Sequence, residues 1–341
     1  MPEAVEVRKF ADILSKNILG KTITHINILK GRYTKKPFEG YNNLIKSLPL
    51  SIETIQTKGK FTYMTLVSKT KDKSNKVFYL FNTLGLSGGW TLKSDNKSNF
   101  TKCKNCNYIV KDQIPKDKDK DKDSDIFTYP SILEYITQDS QNQWFQRALN
   151  HLNVEFITDY KNISFYFYDQ LSFGTLKVID GNDDGKLILE KKLKELGPDL
   201  MDIETTTFEL FKTQLRKKSN ETKAIGNVIV NQKVISGVGN YLRADALWMA
   251  KISPFRKVKD VKDDELELVY KSLIALIWGD YDYDTGVKKG YIKSIKIPND
   301  YKRDFFIYRQ EKDIYDNIIK KEELFEGSQK RFIYWVEKIQ K

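Results

Sequence analysis

Hydrophobic positions at the start of the chain recur at helical spacing, and short alternating runs follow them. Residues 7–19 carry apolar side chains on one helical face and Gly20 ends the run, which predicts a helix close behind the N-terminus. Runs rich in β-branched and aromatic residues come next, each bounded by turn residues, and cover 22–29, 52–57, 61–67, 76–82 and 163–169. Short strands of this kind predict an antiparallel β-sandwich or barrel.

The periodic pattern is interrupted between residues 90 and 144. Lys, Asp, Asn and Ser dominate there, and residues 116–125 alternate Lys and Asp almost strictly. Opposite charges in such a run largely cancel, so the composition indicates a solvated, mobile insertion at about 91–143 rather than a binding arm.

The second half of the chain changes to helical spacing. A helical segment at 187–196 leads to Gly197-Pro198, which we interpret as the end of the first domain. Further helices are predicted at 208–215, 222–230, 239–250 and 263–278, and strand-like runs at 307–308 and 332–336 flank a polar turn at 316–317. The pattern therefore predicts an α+β protein of two domains.

Composition narrows the class of partner. The 341 residues are 40% hydrophobic and 30% charged, with a formal net charge of +12. This excess of basic residues suggests a polyanionic partner, with nucleic acid as the first candidate and an anionic membrane surface as the second. No apolar run approaches the about 18 residues that a membrane span needs. The N-terminus does not have the pattern of a signal peptide. We therefore expect an intracellular protein, nuclear, cytoplasmic or viral, that is not secreted and does not bind membranes.

Metal-binding residues are few. Cys103 and Cys106 form a single C-x-x-C without a second pair, and His25 and His151 are distant in sequence. A structural zinc site needs four such ligands. We expect neither a metal nor another cofactor.

The first residues of the chain carry a possible covalent catalyst. Removal of Met1 would leave the secondary amine of Pro2 at the N-terminus, beside the carboxylate of Glu3. An α-amino group titrates near pH ~8, so a useful fraction is unprotonated at neutral pH and can attack a sugar C1′ carbon. Proline could then form an iminium ion while Glu3 moves protons. Taken alone, Met-Pro-Glu is an ordinary start.

A second motif lies at residues 231–254. Gly237 and Gly239 permit a close backbone turn, and Asn240 stands at the start of the helix that follows. A helix N-terminus of this kind offers donors to a phosphate. This stretch closely resembles the helix-two-turn-helix signature of the formamidopyrimidine-DNA glycosylase and endonuclease VIII family of base-excision repair enzymes.

The resemblance extends along both halves of the chain. The family also begins with Pro-Glu after removal of methionine and has a further glutamate, which Glu6 matches. Other elements match in the family's order: the strand lysine Lys60, the void-filling turn at 84–88 with Leu86, the end of the second DNA-wedge loop at Phe173-Gly174, and the domain junction at 196–199. Only the insertion at about 91–143 lies outside it.

The C-terminal part is similar to the zincless-finger branch of endonuclease VIII-like enzymes. Residues 307–335 contain no cysteine, and Arg331 matches the finger arginine that grips phosphate at the lesion. The resemblance implies a catalytic β-sandwich domain with a leading helix at 1–200, a helix-two-turn-helix DNA-binding domain at 201–290 and a zincless β-hairpin finger at 291–341.

The family's activity would make this chain a bifunctional DNA glycosylase and AP lyase, which removes oxidised bases, pyrimidines first, and then performs β,δ-elimination. The resemblance assigns catalysis to Pro2, Glu3, Lys60 and Arg331, and DNA contacts to Glu6, Leu86, Phe173 and Asn240. The implied partner is damaged double-stranded or single-stranded DNA, bound by a monomer. The alternative is a DNA-binding protein that kept the fold and lost the chemistry.

Some residues depart from the family pattern. Val5 replaces a usual proline, Leu86 a common methionine, and Asp245 a usual glutamate; Leu171 or Ser172 stands where an arginine often faces the orphaned base. Loss of that cationic donor should weaken discrimination of the opposite base and favour single-stranded or bubble substrates.

Overall fold

The computed structural model describes residues 2–68, 75–94, 125–128, 151–160, 163–281, 305–326 and 329–341. The chain divides into two compact units. The first contains Pro2 and residues Glu6–Leu193, and the second contains Glu3–Val5 and Lys194–Lys341. The three domains predicted with boundaries at 200 and 290 stay a prediction.

The first unit opens with the predicted helix, α1 (Ala4–Ile18), whose apolar face is buried. Helix α2 (Tyr41–Lys46) also lies in this unit, and α3 (Asp183–Glu195) begins in it. Its strands are β1 (Thr22–Ile28), β2 (Leu50–Lys58), β3 (Phe61–Ser68), β4 (Lys76–Thr83), β5 (Gly88–Ser94), β6 (Asp125–Thr128), β7 (Leu152–Thr158), β8 (Ser164–Asp169) and β9 (Thr175–Asp180).

These strands form one antiparallel sheet in the order β6-β5-β8-β7-β1-β2-β3-β4-β9. Trp90 on β5 donates its indole N–H to the side-chain oxygen of Asn82 on β4 at 3.0 Å. Because β5 and β4 are distant in the strand order, this contact shows that the sheet folds over on itself. Apolar side chains from β1 to β5 and β7 to β9 fill the space between its halves, as expected for a packed antiparallel fold.

The five strands predicted in the first half of the chain are confirmed, but the insertion was predicted to begin too early. Residues 91–94 continue β5, and β6 pairs with them. β5 begins with Gly88-Gly89. Two consecutive glycines are typical of a turn, so the sequence did not predict this strand. The Lys-Asp alternation at 116–124, together with Cys103 and Cys106, lies outside the described residues.

The second unit is helical with a terminal hairpin. Its helices are α4 (Phe208–Leu215), α5 (Ile225–Val228), α6 (Asn240–Met249) and α7 (Asp263–Tyr281), and its strands are β10 (Lys320–Glu326) and β11 (Gln329–Trp335). Thr207 caps α4 by accepting a hydrogen bond from the amide of Leu210 at 3.3 Å. The predicted α+β class, an antiparallel β domain followed by a helical one, is confirmed.

In the C-terminal segment one predicted strand is wrong and one strand was missed. Residues 307–308 form no strand, because their amides donate to the side chain of Asp245 instead of to a neighbouring strand. Asp316 lies in the predicted turn, at φ 60°, and β10, which the pattern did not predict, follows it. Residues 327–328, which connect β10 to β11, lie outside the described residues.

Candidate functional site

In the second unit, Glu3 binds the N-terminus of α6. Its side chain is 1% exposed, Oε2 accepts from the amide of Gly239 at 2.6 Å, and Oε1 accepts from the amide of Tyr241 at 3.0 Å. The N-cap residue, Gly239, has no side chain to cap the helix. Glu3 therefore supplies the cap and places its charge where the helix dipole is positive.

This arrangement corrects one expectation from the sequence. The N-terminus of this helix was predicted to offer donors to a phosphate, yet two of its amides, those of Gly239 and Tyr241, donate to Glu3. The anion at this helix terminus is thus the protein's own carboxylate. Asn240, between the two amides, is the residue of this motif that keeps a predicted DNA contact.

The glycine turn before α6 is held by Gln232. Its side-chain oxygen accepts from the amide of Gly237 at 2.9 Å, and its amide nitrogen donates to the carbonyls of Val230 and Val238 at 2.8 Å each. Gly237 has φ 95°, a conformation that L side chains rarely adopt. The sequence gave no signal for Gln232 beyond its place in the motif.

Arg243 links Asn240 to the strand that carries Arg331. Its side chain is fully buried, and Nη2 donates to the side-chain oxygen of Asn240 at 3.2 Å and to the carbonyl of Phe332 at 2.8 Å. Nη1 donates to the carbonyl of Gly226 at 3.3 Å. Asn240 and Arg331 are both half-buried. The sequence did not identify Arg243, because an arginine in a helix usually reads as a solvated charge.

A buried carboxylate holds the segment that leads into the finger. Asp245 accepts hydrogen bonds from the backbone amides of Phe306, Ile307 and Tyr308 at 3.0, 3.0 and 3.1 Å. Burial raises the pKa of Asp245 to about 7; the three amides oppose this rise and the charge of Glu3 adds to it. The aspartate therefore anchors the segment and lies near its titration midpoint at neutral pH.

Asp313 organises the turn before β10. One oxygen accepts from the amides of Tyr315 and Asn317, both at 2.9 Å, and the other accepts from the indole of Trp248 at 3.1 Å. Within the described ranges, no group of three His, Cys, Asp or Glu side chains could hold a metal ion. Carboxylate hydrogen bonds thus order the described part of this segment.

Aromatic rings form a row beside this anchored segment. Phe305 packs against Tyr241 and Tyr308 with ring centroids 5.2 and 5.3 Å apart, and Tyr308 packs against Tyr334 at 5.3 Å. Burial raises the pKa of the Tyr308 hydroxyl, Arg309 lowers it, and the charge of Glu3 raises it further. Tyr308 and Glu3 therefore share one electrostatic environment.

The first unit contains the other predicted residues. Pro2 and Glu6 are buried at the start of α1. Lys60 is half-buried in the two-residue turn between β2 and β3, where Gly59 has φ 56°. Lys60 therefore lies directly before β3, and its role stays a prediction.

Two loops of the first unit pack together and present the predicted wedge residues. A Cβ on Gly85 would lie 2.5 Å from the carbonyl carbon of Phe173, so the turn at 84–88 touches the loop at 171–174. Three large apolar side chains are nonetheless exposed there, Leu86 at 45%, Leu171 at 53% and Phe173 at 59%. Exposed apolar side chains on two loops that hold each other in place are suited to filling a gap between stacked nucleobases.

A small polar network fixes these loops. Ser87 Oγ donates to Asp169 Oδ1 at 2.7 Å and accepts from the amide of Leu171 at 2.9 Å, while Asp169 Oδ2 accepts from the amide of Gly174 at 2.6 Å. Arg32 donates to the carbonyl of Ser172 at 3.1 Å. Asp169 and Arg32 were missed by the sequence interpretation, since Ser87 and the carbonyl of Ser172, which they contact, are distant in sequence.

Comparison with known proteins gives two family matches. The N-terminal domain of formamidopyrimidine-DNA glycosylase matches residues 1–176, and the helix-two-turn-helix domain of the same enzyme matches residues 196–284. In the part of the chain that the structure describes, no helix is long and apolar enough to cross a membrane.

Individual relatives carry the names of both family branches. A formamidopyrimidine-DNA glycosylase of Prochlorococcus marinus is 31% identical over 123 residues, which are 36% of this chain and 40% of the relative. An endonuclease 8 of Pectobacterium carotovorum is 21% identical over 278 residues, 81% of this chain and 78% of the relative. The alignment with the Prochlorococcus protein thus spans less than half of that protein's length.

Solved structures share the fold. A Lactococcus lactis Fpg bound to DNA with an abasic site has a TM-score of 0.63 at 19% identity, over 99% of both chains. A complex of the same protein with DNA containing an oxidized pyrimidine gives the same TM-score, identity and coverage. Since the first domain match alone spans more than half of the 341 residues, the chain belongs to the formamidopyrimidine-DNA glycosylase and endonuclease VIII family.

Proposed function

We propose that this protein is a bifunctional DNA glycosylase and AP lyase of base excision repair. The observation that carries the proposal is the buried carboxylate of Glu3, which two backbone amides hold in place. Glu3 directly follows Pro2, the residue with the potential N-terminal amine. Family membership supports the same reaction, and the net charge of +12 suits a polyanionic partner.

The reaction requires a nucleotide outside the base stack, because its C1′ is inaccessible inside a duplex. After removal of Met1, the nitrogen of Pro2 attacks C1′ of the flipped nucleotide. Glu3 takes up the proton that the Pro2 amine loses and passes it to the sugar ring oxygen, the ring opens, and the damaged base leaves with the electrons of the glycosidic bond. The product is an iminium ion, a Schiff base between Pro2 and C1′.

The iminium ion makes the neighbouring C2′ proton acidic. Loss of that proton expels the 3′ phosphate, which is β-elimination. A second proton loss expels the 5′ phosphate, which is δ-elimination, and leaves a one-nucleotide gap. Hydrolysis of the remaining iminium ion releases the sugar fragment and restores the amine of Pro2.

Other residues take supporting roles in this proposal. Lys60 contacts phosphate and donates protons. Asn240 and Arg331 anchor the phosphates that flank the lesion. Glu6 belongs to the part of the protein that binds DNA. Leu86 and Phe173 fill the gap left by the flipped base, a role that their exposure suits. The protein acts as a monomer, with domains at 1–200, 201–290 and 291–341.

The proposed substrates are oxidised bases, pyrimidines first. The exposed side chain at the wedge next to Phe173 is Leu171 and not an arginine, so the base opposite the lesion meets no cationic donor from this position. Single-stranded or bubble DNA should therefore be processed well relative to duplex DNA.

Borohydride trapping with labelled DNA that contains an abasic site tests the proposal. Three forms are compared: the native N-terminus, Pro2→Gly, which keeps an N-terminal amine, and a form whose N-terminus is acetylated. We expect a reduced covalent adduct with the first two forms and none with the third. The ends of the untrapped product distinguish β-elimination from β,δ-elimination.

The alternative function, a DNA-binding protein without chemistry, predicts a different result. A protein of that kind would bind the abasic DNA but would give no covalent adduct with any of the three forms. An adduct that persists on the acetylated form would place the nucleophile elsewhere, and Lys60→Met would then test the lysine.

A further inference from the structure

Arg243 uses both N–H groups of one guanidinium nitrogen at a junction between two segments. Nη2 donates to the side-chain oxygen of Asn240 at 3.2 Å and to the backbone carbonyl of Phe332 at 2.8 Å, and Nη1 reaches the carbonyl of Gly226. The residue is 0% exposed. A buried arginine is costly to desolvate, so these contacts have to be well formed for it to persist.

The contact with Asn240 settles which way its carboxamide faces. Because Oδ1 accepts from Arg243, the Nδ2 group points away from the guanidinium with its two donor hydrogens. A phosphate oxygen accepts hydrogen bonds and cannot donate them. Arg243 therefore occupies the acceptor end of Asn240 and leaves the donor end for a different partner, as a phosphate contact requires.

The contact with Phe332 acts on the backbone next to Arg331. These residues are consecutive on β11, where Arg331 pairs with Leu324 of β10. On the face that Arg331 shares with alternate residues, Ile333 and Trp335 are buried. A hydrogen bond to the carbonyl of Phe332 thus fixes the strand one residue from the arginine whose side chain is expected to grip phosphate.

We infer that Arg243 is a positioning residue that couples the phosphate contacts of Asn240 and Arg331. It touches no DNA itself; it orients the amide of one contact and the backbone of the other, so that both form together at a damaged site. This inference rests on the proposed function, since it assumes that Asn240 and Arg331 bind phosphates.

The plain alternative is that Arg243 only stabilises the second unit. Arg216 provides a matched control, because its guanidinium is also partly buried and donates to the carbonyls of Val258 and Val261 and to Asp263. None of these contacts involves Asn240 or the terminal hairpin. Lysine at either position keeps the charge and loses the planar fork of donors.

The test measures binding to two duplexes of one sequence, with and without a stable abasic-site analogue. We expect Arg243→Lys to lower affinity for the abasic duplex about tenfold, with less than about a threefold effect on the undamaged duplex. The loss should shrink at least about threefold when Asn240 is already alanine. Arg216→Lys should lower the melting temperature without either effect.

Equal losses on both duplexes, or losses of Arg243→Lys and Asn240→Ala that simply multiply, would overturn the inference. If wild-type protein is trapped by borohydride and this coupling is absent, only the inference fails. If wild-type protein neither traps nor prefers the abasic duplex, the proposed function fails and the inference fails with it.

A second pair of variants serves if Arg243→Lys does not fold. Asn240→Asp keeps an acceptor for Arg243, whereas Asn240→Leu removes it, and both remove the donor that faces phosphate. We expect both to lose affinity for the abasic duplex, and the leucine variant to melt about 2–4 °C below the aspartate variant. Equal melting temperatures would mean that the Arg243 contact with Asn240 is not formed.

Discussion

Oε2 of Glu3 lies 2.6 Å from the amide nitrogen of Gly239, a residue 236 positions later in the chain. Residues Glu3–Val5 accordingly belong to the second compact unit, although most of α1 belongs to the first. The carboxylate proposed to move protons is thus also the cap of α6. Its catalytic and structural contributions can be separated only by measuring both.

Glu3→Gln should affect chemistry more than stability. Glutamine keeps the shape of the side chain but sets an N–H₂ group against one of two backbone donors, so we expect a melting temperature lower by several degrees, about 1–2 kcal/mol. Loss of the proton donor should slow base excision at least about 100-fold. Trapping at a preformed abasic site needs no base departure and should decline less.

Glu53→Gln is the matched control for this variant, because Glu53 is exposed on β2. It should leave melting temperature, excision and trapping unchanged. Excision at the wild-type rate by Glu3→Gln would remove Glu3 from the proposed mechanism.

Asp245 should make stability depend on pH near neutrality. Its folded pKa of about 7 lies above the ordinary value of 3.8, so the folded protein binds more protons than the unfolded chain between these values. The stabilising contribution is therefore complete below about pH 4 and is lost as pH rises through about 7. Wild type should gain melting temperature relative to Asp245→Asn as pH falls from 8 to 5.5.

Asp263→Asn provides the control for the pH series. Hydrogen bonding with Arg216 lowers the pKa of Asp263, so its titration lies below the range measured. The difference in melting temperature between wild type and Asp263→Asn should stay flat from pH 5.5 to 8. A flat difference for Asp245→Asn as well would contradict the raised pKa.

Gly85→Ala should lower the free energy of unfolding by more than the strain of its positive φ alone. Gly85 and Gly20 both have positive φ, 62° and 74°, but a Cβ on Gly85 would collide with the backbone of Phe173 and one on Gly20 would meet nothing within 4 Å. We expect Gly20→Ala to cost about 1 kcal/mol and Gly85→Ala about 3 kcal/mol, measured by urea unfolding. Equal costs would show that the two loops are not in contact.

Phe173→Ala should impair activity on duplex DNA without changing stability. The side chain is 59% exposed, so its removal should shift the free energy of unfolding by less than about 0.5 kcal/mol. If Phe173 fills the gap beside a flipped base, cleavage of a lesion in duplex DNA should fall about tenfold and cleavage in single-stranded DNA should not.

Leu268→Ala is the corresponding control, since Leu268 is 52% exposed on α7 and has no proposed DNA contact. It should change neither activity. Equal losses on duplex and single-stranded DNA for Phe173→Ala would refute the wedge role.

The sequence predicts elements well where one face of a helix or strand is buried. α4 was predicted with its observed bounds, and α1 within a few residues, because apolar side chains mark the buried face. Residues 307–308 misled the same reasoning. They are apolar enough for a strand, yet a distant carboxylate satisfies their amides, and such a contact leaves no local pattern.

The residues of the candidate site also differ in whether the sequence could identify them. Pro2, Glu3 and Asn240 belong to contiguous motifs and could be identified from the sequence, although their roles stay predictions. Arg243 and Gln232 could not, because their function depends on carbonyl groups and amides that only the folded backbone brings within reach. Residue type alone does not reveal a side chain that recognises backbone.

The attachment of the finger to α6 limits how this protein can be recombined. Arg243, Asp245 and Trp248 each bond to a different part of the C-terminal segment, at Phe332, at residues 306–308 and at Asp313. A C-terminal segment grafted from a relative would keep these contacts only if its backbone placed the same carbonyl and amides beside α6 and if it supplied an acceptor for the Trp248 indole. A chimera should therefore exchange α6 together with the C-terminal segment that it contacts.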